Sequence, residues 1–211
     1  MGYKRVICLR GILRFILVTK IETGKEVSQM SKKVLVLTGG ARHGGNSERM
    51  ADAFVKGAKA AGHEIVRYDA GFKSIKGCVF CETCYQSGEN KACTHDAVFN
   101  ELAPYYEWAD SLVIVTPLYW YSYTAQIKAA LDKYYALMVA KRPQPIREAY
   151  LITCGAGKEE FKYDAIINTH ELITKDRGWK NLGCYHVNGV FQKGEVKENY
   201  LEELESIGEA F

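Results

Sequence analysis

The sequence has little that would tie it to nucleic acid, a membrane or a secretory route. It carries 28 Lys and Arg against 25 Asp and Glu, a net charge of +3. That balance gives no reason to expect a nucleic-acid partner. It has no run of about 20 mostly apolar residues with few charges, so no transmembrane helix is expected. The most apolar early stretch, KRVICLRGILRFILV, is shorter and is broken by Arg10 and Arg14. It also lacks the unbroken apolar core and small-residue cleavage site of a secretory signal. There is no internal repeat and no low-complexity tract. The dinucleotide fingerprint G-x-G-x-x-G is missing. No Ser/His/Asp set or carboxylate pair is arranged for acid–base work, so no catalytic side chain is assigned.

What is present fits one soluble domain. The chain has 211 residues, 47% of them hydrophobic and 25% charged, and this length does not demand two domains. Charge is uneven. Residues 1–32 hold seven Lys/Arg and two Asp/Glu, which leaves the remainder at a net of −2. We therefore expect residues 1–32 to be an N-terminal extension outside the fold and residues 33–211 to form the domain. Met30-Ser31-Lys32-Lys33 reads as a natural start, with residues 1–29 arising from an upstream start codon or an added sequence. A membrane-surface anchor is the rival reading of that stretch. With no secretory signal, a cytoplasmic location is expected.

Short apolar runs alternate with longer amphipathic ones, the pattern of βαβ units and a parallel sheet. Strands are expected at 33–38, 64–68, 111–116, 149–154 and 184–190. Helices are expected at 46–61, 98–108, 123–138, 161–175 and 198–211. Met50, Phe54 and Ala58 share one helix face, as do Leu201, Leu204, Ile207 and Phe211. SLVIVT at 111–116 is the most apolar strand and is expected at the centre, covered on both faces. Five strands alternating with five helices give a doubly wound three-layer αβα sandwich. Ligands of such sheets bind beyond the carboxyl ends of the strands, which directs attention to the loops after Thr38, Thr116 and Cys154.

The first loop holds Gly39, Gly40, Ala41, Arg42, His43, Gly44, Gly45, Asn46 and Ser47. Its four glycines let backbone N–H groups converge, and the following helix adds its N-terminal partial charge. Arg42 adds a fork-shaped donor. From Gly40 the run also spells a P-loop, but Asn46 stands where the phosphate-binding lysine belongs. A single phosphate monoester is therefore expected there, against the simpler alternative of a tight capped turn. The second loop carries Tyr119, Trp120 and Tyr121, which could stack on a planar ring or seal a core or dimer interface.

Cys78, Cys81, Cys84 and Cys93 fall within sixteen residues, in a long connection at 71–96. C-x2-C-x2-C is a spacing with which one loop can wrap an iron–sulfur cubane, with Cys93 as fourth ligand. Zinc and free thiols remain alternatives. Cys8, Cys154 and Cys184 read as spectators, small hydrophobes in the case of the two strand cysteines. His43 lies in the first loop, and His63, His95, His170 and His186 read as surface or core-edge residues.

GGARHGGNS resembles the phosphate loop of flavodoxin-like NAD(P)H-dependent FMN reductases and the related iron–sulfur flavoproteins, usually G-S-P-R-x-G-G-N-T/S. TPLYWYSYTAQIKAALDK resembles their second flavin loop and following helix. Lys128 and Asp132 match that pattern and Lys133 replaces an arginine. The cysteine segment and GVFQKGEVKENYLEE also look familial. The resemblance implies a flavodoxin-like sheet of order 2-1-3-4-5 and bound FMN. Gly39, Gly40, Arg42, Gly44, Gly45, Asn46 and Ser47 would then hold its phosphate. Pro117, Leu118, Tyr119, Trp120, Tyr121 and Ser122 would lie along the isoalloxazine, with Thr153, Cys154, Gly155 and Ala156 as a third contact loop. Gly40 replaces the family's serine, which removes one hydroxyl contact. The resemblance further implies electron transfer from NAD(P)H through FMN to a small acceptor such as a quinone or flavin, and a homodimer or homotetramer. With a 4Fe-4S cluster on Cys78, Cys81, Cys84 and Cys93, ferredoxin would be the donor. The alternative from another class is a flavodoxin-type electron carrier without its own substrate.

Overall fold

The computed structural model describes residues 31–86 and 91–211. The early apolar stretch with Cys8, and residues 87–90 of the cysteine-rich connection, lie outside the described residues. Of the stretch set apart as an extension, Ser31 and Lys32 are described and bonded to the domain. Ser31 Oγ donates to Gly62 O, Lys32 N donates to His63 Nδ1 at 3.2 Å, and Lys32 Nζ pairs with Glu148 at 2.7 Å.

Five parallel strands form one sheet: β1 (Lys33–Thr38), β2 (Glu64–Tyr68), β3 (Ser111–Pro117), β4 (Glu148–Gly155) and β5 (Lys180–Asn188). Their order is β2-β1-β3-β4-β5, all pairs parallel. Among the described residues, five helices cover the sheet: α1 (Asn46–Ala60), α2 (Ala97–Trp108), α3 (Ala125–Val139), α4 (Asp164–Arg177) and α5 (Glu198–Glu209). The fold is flavodoxin-like.

The alternation along the strands explains the layers. Leu35, Leu37, Leu112 and Ile114 point to one face and meet Phe99, Leu102, Ile127 and Ile166 of α2, α3 and α4. Val34, Val36, Val113 and Val115 point to the other and meet Met50 and Phe54 of α1 and Leu204 of α5. Both faces are thus dry, which is why the central strands read as unbroken apolar runs.

Two helices approach unusually closely. A Cβ on Gly57 of α1 would overlap the carbonyl oxygen of Glu205, and one on Gly208 of α5 would overlap the carbonyl oxygen of Phe54. Glycine at both positions lets the backbones of α1 and α5 touch.

Three elements start two or more residues away from expectation. α3 starts at Ala125, because Tyr123 turns into the core and Thr124 takes the N-cap position. A 3-10 turn over Glu160–Tyr163 precedes α4, so the helix begins at Asp164. β5 begins at Lys180, with polar, exposed residues that carry no apolar signal. His63 and His170, read as surface or core-edge residues, are buried.

Candidate functional site

The first loop leaves β1 at the carboxyl edge of the sheet. Gly39 N donates to Val115 O at 2.8 Å, and a Cβ on Gly39 would come within 2.5 Å of Thr124 Oγ1 and 2.6 Å of Ile127. The first loop is therefore seated against the start of α3. A Cβ on Gly40 would overlap Ser47 Oγ, and one on Gly45 would lie 2.7 Å from the Arg42 carbonyl. Gly44 sits at φ 64°, a conformation that glycine adopts without cost. Gly45 is the N-cap of α1 and offers no side-chain cap bond. The N–H groups of its first turn are left to a ligand or to water, with the helix's positive end behind them.

The side chains around this turn are partly committed elsewhere. Asn46 Nδ2 donates to Gln192 O at 2.8 Å, and Asn46 Oδ1 accepts from Val196 N at 3.2 Å. Arg49 Nη1 donates to Val196 O at 2.8 Å and to Gly194 O at 3.0 Å. Arg42 Nη2 reaches Phe191 O at 3.5 Å. The segment between β5 and α5 is thus strapped across the phosphate loop. Glu48 accepts from Gly44 N, and the His43 ring stacks on Phe72 at 4.2 Å.

The second loop is tied to β4 by Leu118 N donating to Cys154 O at 2.7 Å. Tyr119 and Ser122 then bond each other in both directions, at 3.1 and 3.0 Å. Between them Trp120 and Tyr121 take φ of 47° and 64°. Two left-handed residues closed by such a pair make a type I′ turn, which favours Asn-Gly. Here it is built from two aromatics, and the Trp120 ring at its tip is 94% exposed.

The third loop is positioned by Tyr163. Its hydroxyl sits 3.2 Å from Val187 O and 3.3 Å from Gly155 O. Thr153 is fully buried and its hydroxyl has no partner among the described residues. Cys154 is buried as well, and burial pushes its thiol up to about 12, against the opposing effect of Arg42. It is a neutral wall. Ala156 is exposed.

These three loops meet at one cleft, lined by Gly40, Ala41, Arg42, Gly45, Asn46, Ser47, Pro117, Tyr119 and Cys154. Ala41 was passed over in the sequence because it offers only its backbone. Gly39, Gly44, Leu118, Trp120, Tyr121, Ser122, Thr153, Gly155 and Ala156 lie outside this lining and shape or flank the loops.

A second cavity lies under the cysteine-rich connection. Cys78, Cys81, Cys84 and Cys93 all line it, together with Phe80, His95, Lys133 and Tyr135. Cys78 and Cys81 are exposed, Cys84 is buried and Cys93 is half-buried. Cys81 Sγ lies 3.2 Å from Thr83 Oγ1, and this hydrogen bond draws its thiol below the ordinary value. Burial pushes Cys84 up. Asn100 fixes the backbone of Cys93, accepting from its N–H and donating to its carbonyl, each at 2.8 Å. Among the described residues, no three His, Cys, Asp or Glu groups converge as ligands of a metal ion.

Residues 32–160 match the family model of NADPH-dependent FMN reductase. The chain belongs to this family. It is an FMN-dependent NAD(P)H oxidoreductase by that membership, and the matched span covers the first and second loops, the cysteine connection and β4. An iron–sulfur flavoprotein of Archaeoglobus fulgidus is 30% identical over 180 residues, 83% of this chain and 77% of that one. One of Methanocaldococcus jannaschii is 32% identical over 117 residues, 54% of this chain and 58% of that one. Among solved structures, an NAD(P)H:quinone oxidoreductase from Methanothermobacter marburgensis shares the fold, with a TM-score of 0.67 at 20% identity. It covers 85% of this chain and 96% of its own. Among the described residues, no helix is long and apolar enough to cross a membrane.

Proposed function

We propose that this protein oxidises NAD(P)H and reduces a small acceptor such as a quinone or a flavin, using FMN held in the three-loop cleft. One observation carries the reading: the glycine turn after β1, Pro117 and Tyr119 after β3, and Cys154 at the end of β4 line one cleft. The turn suits a phosphate monoester through the uncapped N–H groups of the first turn of α1, while Gly40 and Gly45 let the loop pack closely on Ser47 and on the Arg42 carbonyl. FMN, when bound, supplies the ring that accepts a hydride or single electrons.

The chain's own residues bind and orient. Backbone N–H groups of the turn and of the first turn of α1 donate to phosphate oxygens, with Ser47 and Arg42 as side-chain donors. Asn46 serves the site through its backbone, since its side chain holds the strap. Pro117 and Tyr119 wall the ring's site, and the neutral Cys154 thiol adds no charge to it. No ionisable side chain is needed as acid or base, which suits a cleft whose described lining holds none but Arg42, Tyr119 and Cys154. The exposed aromatic tip at Trp120 supports a homodimer or homotetramer that covers it. Clustered cysteines in one loop support a reducing, cytoplasmic setting.

A second reading concerns the cysteine cavity. Four cysteines around one space, and the kinship with proteins named iron–sulfur flavoproteins, support a 4Fe-4S cluster on Cys78, Cys81, Cys84 and Cys93. A cubane takes four thiolates, the number that the cysteines of this cavity supply. Such a cluster supplies single-electron transfer and would make ferredoxin a donor.

The deciding measurement is an absorption spectrum of anaerobically purified protein, with an iron assay on the same sample. Flavin bands that NAD(P)H bleaches rapidly are expected. A colourless protein that takes up no FMN sinks the flavin reading, and a flavin that NAD(P)H leaves unbleached favours an electron carrier. About four irons per chain is expected for the cluster, and none sinks it.

A further inference from the structure

α3 sends one cation into the wall of the cysteine cavity. The Lys133 side chain is 4% exposed. Its Nζ lies 3.4 Å from Cys93 Sγ, 3.3 Å from Asp96 Oδ2 and 5.9 Å from the centre of the Phe99 ring. Asp96 is 2% exposed, and its carboxylate is held from several sides. Oδ1 accepts from Val98 N and Phe99 N at the start of α2, and Oδ2 accepts from Lys76 N at 2.9 Å.

A buried ion pair is a poor device for stability alone, since apolar residues of similar size do as well or better. This pair has a direction. Asp96 is pinned by backbone N–H groups, so the ammonium is fixed between a carboxylate and a sulfur, with donors to spare for both. Cys93 is pinned in turn by Asn100. The positive end of the pair therefore faces the cavity that the four cysteines line.

We propose that Lys133 sets the reduction potential of the iron–sulfur cluster, acting through Cys93. The inference rests on the cluster reading above. Reduction adds one electron to a site already negative with four thiolates. No bond to Lys133 is made or broken. A hydrogen bond to a ligand sulfur stabilises the reduced state more than the oxidised one and raises the potential. Burial removes the solvent screening that would blunt the charge. Asp96 acts indirectly, by aiming Lys133.

The test uses the full chain, reconstituted anaerobically with iron and sulfide, as wild type, Lys133→Arg, Lys133→Met and the double variant Asp96→Asn/Lys133→Met. Iron and acid-labile sulfide are assayed on each, and the cluster is titrated with dithionite under electron paramagnetic resonance. Lys133→Met is expected to keep its iron and to lower the cluster's reduction equilibrium constant at least tenfold, 59 mV for one electron. Lys133→Arg should stay near wild type. The double variant, which leaves no unpaired buried charge, should also titrate low, and it decides the matter if the single variant does not fold. Full iron with an unchanged potential in Lys133→Met or the double variant overturns the role of Lys133 and leaves the cluster reading standing. A wild type without iron overturns both. A loss of thermal stability alone, with the potential unmoved, marks Lys133 as purely structural and also overturns the proposal.

Discussion

The side-chain oxygen of Asn46 holds the backbone N–H of Val196 at 3.2 Å, across 150 residues of chain. Its amide nitrogen holds Gln192 O at 2.8 Å. Asn46→Ala takes the partner from the buried Val196 N–H and from the Gln192 carbonyl and is expected to lower stability by about 1–3 kcal/mol in urea unfolding. Asn46→Asp keeps the acceptor but sets a carboxylate against the Gln192 carbonyl and beside the phosphate turn. FMN titration should therefore show a greater loss of affinity for Asn46→Asp than for Asn46→Ala. Equal affinities would mean the site does not carry phosphate.

Trp120 and Tyr121 occupy left-handed positions that cost on the order of 1–3 kcal/mol each for such side chains. Replacing them with Asn-Gly, the pair this turn prefers, should raise the unfolding midpoint. NAD(P)H turnover should fall at least tenfold at the same time. If turnover survives, the aromatic tip has no part in the reaction.

The contact between Gly57 and Gly208 gives a prediction opposed to helix propensity. Ala is favoured over Gly inside a helix by about 1 kcal/mol. Gly57→Ala nevertheless forces a methyl into the Glu205 carbonyl and should destabilise by about 2 kcal/mol net. Chemical denaturation measures this directly, and a stabilised variant would mean α1 and α5 can part without loss.

His170 is buried, and burial lowers its pKa from 6.5 to about 4. Its folded value is below its unfolded one, so its contribution is fully present above pH 6.5 and is lost as pH falls through 4. At about 1.4 kcal/mol per unit this amounts to about 3 kcal/mol. His63 is shifted the same way by burial and by Lys32. Stability should fall between pH 6.5 and 4, and His170→Gln should flatten that slope. An unchanged slope would show that His170 takes up its proton without unfolding.

Much of this architecture was legible because its residues obey local rules. The alternation of Val34, Leu35, Val36 and Leu37 tells of a strand covered on both faces, and the glycines from 39 to 45 tell of a turn that needs close approach. β5 escaped at its start because Lys180 and Asn181 lie exposed on an edge, where burial imposes no pattern. The role of Asn46 escaped because its partners lie 146 and 150 residues away. The turn at Trp120 contradicts its own local preference, and only the paired bonds of Tyr119 and Ser122 reveal it.

The strap over the phosphate turn also has a meaning in time. A chain leaves the ribosome from its N-terminal end, at about 5–20 residues per second. The turn before α1 is among the earliest parts of the domain to be made, yet Asn46 and Arg49 wait for Gln192, Gly194 and Val196. At that pace the wait is roughly 8–30 s. The nascent chain holds the glycine turn before it holds the segment that fastens it, so a mature cofactor pocket is among the last things this polypeptide acquires.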